Sequence, residues 1–195
     1  MEFGLLEEVL APGGAQDFDP IVAALACCID QVLADSPAGL HLCYGDSGHQ
    51  HFKQPTSLAL QVQVLNSVSA AAGRQVDFVS FTVPQYQREQ SYFAPLAQLT
   101  ADQGTELNFA LVPYHPAGQA PGTIDAQVLL IDAALKASSG DHRTWGVCTE
   151  CGMGRVDRND IPALLDLHRQ IVEPDPSLPR KSSDAQSDLF DGRLA

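Results

Sequence analysis

Residues 40 to 52 read Leu-His-Leu-Cys-Tyr-Gly-Asp-Ser-Gly-His-Gln-His-Phe, and this stretch decides the fold that we predict for the chain. Successive side chains of an extended strand alternate between its two faces, so His41 and Cys43 share one face while Leu40 and Leu42 share the other. The glycines that follow end the strand in a loop. In α/β proteins the carboxyl end of a strand is the usual position of functional residues. The stretch therefore predicts a strand with one packing face and two metal ligands on the other.

A His-x-Cys pair needs a further ligand from elsewhere in the chain. Residues 145 to 155 read Trp-Gly-Val-Cys-Thr-Glu-Cys-Gly-Met-Gly-Arg, where an apolar, β-prone run again passes into a glycine-rich turn. Cys151 thus follows a strand end, as Cys43 does. We predict that His41, Cys43 and Cys151 together form a metal site.

These two segments resemble the zinc-binding elements of cobalamin-independent methionine synthase and of related zinc methyltransferases in the uroporphyrinogen decarboxylase-like superfamily. The matching residues are His-x-Cys-Tyr-x-Asp from His41 to Asp46 and Glu-Cys-Gly from Glu150 to Gly152. The resemblance covers about residues 20 to 172. It implies a Zn²⁺ cofactor and the fold of the catalytic domain of that family.

Composition indicates a globular chain. It has 195 residues, 45% hydrophobic and 18% charged, which is enough to bury a substantial core as one domain. No apolar run approaches the roughly 20 residues that span a bilayer. The start, Met-Glu-Phe-Gly-Leu-Leu-Glu-Glu, lacks the basic region of a secretory signal, so we expect a cytoplasmic location. The five cysteines are an odd number without a framework-like spacing, which favours reduced thiols over disulfides.

The charge balance indicates which partners the chain would have. A formal net charge of −13 repels nucleic acid and anionic membranes, and the sequence has neither basic clusters nor the aromatic patterns of RNA-binding modules. We therefore expect no nucleic acid and no membrane partner. A small anionic molecule is not excluded, because it needs only a few local donors.

The chain divides into three segments. Residues 1–17 contain Ala-Pro-Gly-Gly and no sustained periodicity, which predicts an N-terminal arm. Residues 18–173 carry the periodic elements. From Pro174 the composition turns to Pro, Ser, Asp and Arg, which predicts a disordered tail over 174–195.

Within 18–173 the pattern predicts a first helix from Asp19-Pro20 to Pro37, with Cys27 and Cys28 as packing residues rather than a vicinal dithiol site. Four strand and helix units follow it. Besides the strand that carries His41 and Cys43, the predicted elements are strands at 76–83, 106–112 and 143–149, a helix capped by Thr56 or Ser57 and ending before Gly73, a short helical piece around 92–99, a helix capped by Thr123 and closed by Gly140, and a last helix starting at Asn159 or Asp160.

Helices between apolar strands imply parallel pairing with right-handed crossovers. A complete (β/α)₈ barrel, the TIM barrel, has eight strands and typically about 250 residues. The fold class is therefore α/β, and the chain resembles the C-terminal half of such a barrel, with four β/α units. Such a half leaves sheet edges unpaired, so we expect self-association or a partner half barrel.

The resemblance also implies a reaction. In the family, zinc holds homocysteine as a thiolate, which attacks the methyl group of a methylated folate; the implied activity is that of a 5-methyltetrahydropteroyltriglutamate–homocysteine methyltransferase. His115 matches loosely a histidine proposed to assist proton transfer, although it could equally be an ordinary loop residue. The family's further zinc ligand, a glutamate, is replaced here by Thr82. Glu150, Asp46 or His49 could take its place, or the site could keep three protein ligands.

Two alternatives stay open. Cys148-x-x-Cys151 matches a redox or zinc-ribbon spacing, although Cys148 lies inside the strand run and no second Cys-x-x-Cys accompanies it. For function, a zinc-dependent methyltransferase that acts on a small-molecule thiol and a methyl donor competes with a non-catalytic or truncated zinc-binding half barrel that needs a partner half.

Overall fold

The structure, a computed structural model, describes residues 18–45, 54–114, 120–140 and 143–173, with the side chain of Arg155 excepted. The predicted arm at 1–17 and tail at 174–195 lie outside the described residues. So do Asp46, His49 and His115. The described chain forms these elements in order: α1 Phe18–Asp30, β1 Gly39–Leu42, α2 Ala59–Ala71, β2 Phe78–Phe81, α3 Gln90–Phe93, a 3₁₀ helix Ala94–Gln98, β3 Glu106–Val112, α4 Thr123–Ser139, β4 Gly146–Thr149, a 3₁₀ helix Met153–Arg155, and α5 Ile161–Val172.

The four strands form one parallel sheet in the order β1-β2-β3-β4. Helices connect them, because parallel neighbours need a crossover. This confirms an α/β fold with a four-stranded parallel sheet, an arrangement compatible with half of a TIM barrel. Closure into a barrel stays a prediction.

One face of the sheet forms the core. Leu40 and Leu42 of β1 are 6% and 3% exposed, and Val79, Phe81 and Phe109 of the neighbouring strands are fully buried or nearly so. These side chains belong to one apolar cluster with residues of α1, α2 and α4. The rings of Phe81 and Phe109 stack with centroids 5.1 Å apart. The predicted alternation in β1 is therefore confirmed.

The opposite face of the sheet is much less covered. In the described ranges, its side chains near the middle and the amino end of the strands are exposed or half-buried: His41, Phe78, Ser80, Glu106 and Asn108. Parallel sheets normally have both faces buried. This face therefore lacks the cover that such sheets usually have, within the part of the chain that the structure describes.

Several boundaries match the sequence predictions. β3 covers the predicted residues 106–112, and α4 runs from Thr123 to Ser139 with Gly140 as its C-cap, whose φ of 75° is left-handed and suits glycine. The start of α2 differs from the predicted cap at Thr56 or Ser57: Leu58 occupies the N-cap position, and the Ser57 hydroxyl, one residue earlier, accepts a hydrogen bond from the backbone N–H of Ala59. Strands β2 and β4 are shorter than predicted, with four residues each.

The packing role predicted for Cys27 and Cys28 is wrong. α1 ends at Asp30 instead of reaching Pro37, and both cysteines are exposed. The helix buries Phe18, Val22, Ala26 and Ile29, whose spacing of three and four residues defines one face, and Cys27 and Cys28 lie on the other side. Helix position decides burial here, and the apolar character of cysteine does not.

The carboxyl end of β2 is held by a buried side chain of α2. Gln61 is fully buried, its amide nitrogen donates to the carbonyl of Thr82, and its amide oxygen accepts from the backbone N–H of Thr82. Tyr92 also donates its hydroxyl to the Thr82 carbonyl. These bonds fix the chain where β2 ends beside β1.

We predict that Gln61→Leu lowers the free energy of unfolding by about 1–3 kcal/mol, because the buried N–H of Thr82 loses its acceptor. Gln63→Leu is the matched control, since Gln63 is exposed on the same helix and should change stability by less than about 0.5 kcal/mol. Urea unfolding measures both. Equal effects of the two variants would contradict this role of Gln61.

Candidate metal centre

The three side chains predicted as metal ligands lie together. The ligand atoms of His41, Cys43 and Cys151 all lie within 4.8 Å of one another, a group that could hold a metal ion. His41 is exposed, Cys43 is half-buried and Cys151 is 8% exposed. The group therefore lies at the surface with one ligand in the protein interior. That this group binds a metal stays a prediction.

This convergence brings opposite edges of the sheet together. His41 lies on β1 and Cys43 directly follows it, whereas Cys151 follows β4, and these are the two edge strands. Neighbouring strands are about 4.8 Å apart, so three steps across a flat sheet would separate the edges by about 14 Å. Curvature of the sheet and the reach of the segment after β4 must span that distance.

Cys151 is positioned through its own carbonyl oxygen. Tyr114, which follows β3, donates its hydroxyl to this carbonyl, and Thr149 of β4 donates to it as well. Tyr114 is 8% exposed and packs with Val112 and Leu164 of α5 in a second apolar cluster. The segment after β4 is thus anchored to β3 as well as to its own strand.

Cys43 has an acidic thiol. Its pKa is lowered from 9.0 to about 7, mainly by a hydrogen bond with the side chain of His41; burial opposes this shift, and the backbone of Gly45 contributes to the lowering. A metal binds the thiolate form of cysteine. Less free energy is therefore needed to deprotonate Cys43 at neutral pH than an ordinary thiol would require.

Cys148 has the opposite character. Burial, followed by the negative charge of Glu150, raises its pKa from 9.0 to about 12, and it is not part of the group formed with Cys151. It lies within β4, as the sequence predicts, and its thiol stays protonated at neutral pH. This disfavours both the redox and the zinc-ribbon interpretations of Cys148-x-x-Cys151. All five cysteines are among the described residues, and none forms a disulfide.

Thr82, which stands at the position expected for the family's glutamate ligand, has a structural contact instead. Its hydroxyl donates to the carbonyl of Leu42 at 2.7 Å, and the residue is 1% exposed. The bond links the end of β2 to the end of β1. Glu150, considered as a replacement ligand, is not part of the described group, while Asp46 and His49 lie outside the described residues.

Two residues that contact the candidate ligands are not predicted from the sequence. Ser80 contacts His41, with its hydroxyl oxygen 2.7 Å from Nδ1, and Tyr114 holds Cys151. Ser80 could have been found from parity, because it precedes Thr82 by two residues and so shares its face of the strand. Tyr114 carried no such signal, since its role depends on where the segment after β4 runs.

Comparisons with models of protein families, with curated proteins and with solved structures find no match. The resemblance to the methionine synthases therefore stays a prediction. In the described residues, no helix is long and apolar enough to cross a membrane.

We predict that Cys43 is alkylated by iodoacetamide much faster than Cys148 in protein treated with a chelator. The thiolate is the nucleophile, so the rate at Cys43 should rise from pH 6 to pH 8 with a midpoint near its pKa of about 7, while Cys148, with a pKa of about 12, should stay unreactive over that range. Peptide mass spectrometry distinguishes the two sites. A midpoint near 9 for Cys43, or equal rates at the two cysteines, would show that these environments are wrongly assigned.

Proposed function

We propose that this chain binds a zinc ion through His41, Cys43 and Cys151, and that the ion activates a thiol for methyl transfer. The observation that carries the proposal is the approach of the three ligand atoms to within 4.8 Å of one another. Tetrahedral zinc with Zn–S bonds of about 2.3 Å holds its ligand atoms about 3.8 Å apart. Small side-chain adjustments would therefore be enough for all three atoms to reach one ion.

The donor set favours zinc among common metals. Two thiolates and one imidazole are typical zinc ligands, whereas calcium and magnesium prefer oxygen donors. Two thiolates also neutralise the charge of the divalent ion, so the site would be neutral overall. The low pKa of Cys43 helps, because metal binding competes with protons for the ligand.

Three protein ligands leave one position of a tetrahedral ion open, as in catalytic zinc sites. A thiol that binds there loses its proton to become a nucleophile at neutral pH. The resemblance of His41 to Asp46 and of Glu150 to Gly152 to the methionine synthases supports a homocysteine-like acceptor and a methylated folate or related donor. By the same resemblance, His115 would assist proton transfer.

Thr82 bears on how such a site would differ from that family. Its side chain is a neutral hydroxyl that donates a hydrogen bond to the Leu42 carbonyl, so it adds no negative charge to the ion. A zinc ion without a carboxylate ligand polarises its open-position ligand more strongly. We therefore propose that thiol binding is retained, while specificity for homocysteine itself is the property that this substitution changes.

A second candidate function is a non-catalytic or truncated zinc-binding half barrel that needs a partner half. The sheet face with His41, Ser80 and Asn108, which has little cover in the described part of the chain, favours it. Such a chain would bind zinc but would lack much of the surface that positions two substrates, a large part of the catalytic effect in bimolecular reactions. A second copy or a complementary half would supply that surface.

We predict that the purified chain binds about one zinc ion and that Cys43→Ser or Cys151→Ser abolishes stable binding, because each removes a thiolate from a three-ligand site. Cys148→Ser is the control and should retain zinc, since Cys148 is outside the group. Metal analysis after dialysis measures the stoichiometry. Unchanged zinc in the first two variants would refute the site, and loss of zinc from the control would instead favour Cys148-x-x-Cys151 as the ligand pair.

We also predict that homocysteine binds to the zinc-loaded chain with release of about one proton, so that its affinity rises from acidic to neutral pH. Isothermal titration calorimetry in two buffers of different ionisation enthalpy counts the released proton. Binding of zinc together with no proton release on thiol addition would support the non-catalytic half barrel over the methyltransferase.

A further inference from the structure

The exposed ligand of the candidate centre, His41, has a contact on the neighbouring strand. His41 pairs with Ser80 in the register of β1 and β2, so the two side chains are adjacent on the same face of the sheet. The hydroxyl oxygen of Ser80 lies 2.7 Å from Nδ1 of His41. The next residue in this row, Asn108 on β3, donates its amide to Glu106. Ser80 is therefore the member of the row that contacts the imidazole.

This contact decides which imidazole nitrogen is available to a metal. A neutral imidazole carries a proton on one nitrogen and a lone pair on the other, and only the lone pair can bind a metal. Since Ser80 occupies Nδ1, Nε2 is left for the ion. With zinc on Nε2, the proton must be on Nδ1, and the Ser80 hydroxyl oxygen then accepts a hydrogen bond from this N–H.

We infer that Ser80 is a positioning residue of the centre: its hydroxyl oxygen accepts a hydrogen bond from the Nδ1–H of His41 and so presents Nε2 to the zinc ion. This inference rests on the proposed zinc-binding function. A metal-bound histidine generally donates a hydrogen bond from the N–H of its second ring nitrogen to such a partner, which fixes the orientation of the ring and its tautomer. The partner matters more here because His41 is exposed, so packing restrains its ring less than it would restrain a buried one.

The position of Ser80 is itself fixed by the sheet. β1 and β2 pair over four residues, from Gly39 with Phe78 to Leu42 with Phe81. Beyond Ser80, the end of β2 is tied to β1 by the hydrogen bond from Thr82 to the Leu42 carbonyl. The hydroxyl therefore projects from a restrained strand, which is the condition for orienting a ligand before the metal arrives.

The test compares zinc affinity in three variants, using competition with a chromophoric chelator. Ser80→Ala should weaken zinc binding about 10- to 100-fold, the usual effect of losing such a partner, and Ser80→Thr should restore most of the affinity because it keeps the hydroxyl. Ser138→Ala is the matched control: it likewise removes one hydrogen bond of a serine hydroxyl, in this case to the backbone carbonyl of Leu99, at the end of α4 and away from the candidate centre. It should leave zinc affinity unchanged.

A second readout separates orientation from a general loss of structure. In ¹⁵N-histidine-labelled, zinc-loaded protein, long-range proton–nitrogen spectra should show His41 protonated at Nδ1 and metal-bound at Nε2. Zinc on Nδ1, or wild-type affinity in Ser80→Ala, would overturn the role of Ser80 while leaving the zinc site intact. Absence of zinc binding in the wild-type chain would overturn the proposed function and this inference together.

Discussion

The candidate centre depends on one constraint, which is that the carboxyl ends of the two edge strands must meet. His41 lies on β1, Cys43 directly follows β1, Cys151 follows β4, and two strands lie between β1 and β4. A flat sheet would hold these edges about 14 Å apart. The apolar face packed by the helices, the bond from Thr82 to Leu42 and the hydroxyl of Tyr114 on the Cys151 carbonyl all support the geometry that closes this gap. A change that loosened the segment after β4 would remove a ligand without touching β1.

The same residue type has two chemical characters at this end of the sheet, and the environment determines which. Cys43 is next to an imidazole and has a pKa of about 7, whereas partial burial in β4 and the charge of Glu150 raise the pKa of Cys148 to about 12. Since metals bind thiolate, only the first is prepared for that role at neutral pH. This difference favours Cys43 over Cys148 as the second thiolate beside Cys151.

Much of the architecture could be predicted from the sequence because its signals are local. β3 is an apolar run ended by Pro113, α4 ends at a glycine that can adopt positive φ, and the alternation in β1 separates ligands from core. Strand β2 is shorter than its apolar run because such a run marks burial rather than pairing: Val76 and Val83 are buried outside β2. The cysteines of α1 show a different limit, because Cys27 and Cys28 are exposed although cysteine is usually buried. The sequence predicts the grouping of Cys151 with His41 and Cys43 because all three lie at or after the ends of strands, which parallel pairing places at one end of the sheet. The contacts of Ser80 and Tyr114 depend on the three-dimensional arrangement and are not predicted.

X-ray absorption at the zinc edge would identify the ligands directly, on a chain in which Cys27, Cys28 and Cys148 are all replaced by serine. Only Cys43 and Cys151 then remain as sulfur ligands. We predict two sulfur atoms at about 2.3 Å and an imidazole nitrogen at about 2.0–2.1 Å, with a third sulfur when a thiol is added. A zinc ion with one sulfur or none, or a chain that no longer binds zinc although it remains folded, would contradict this prediction.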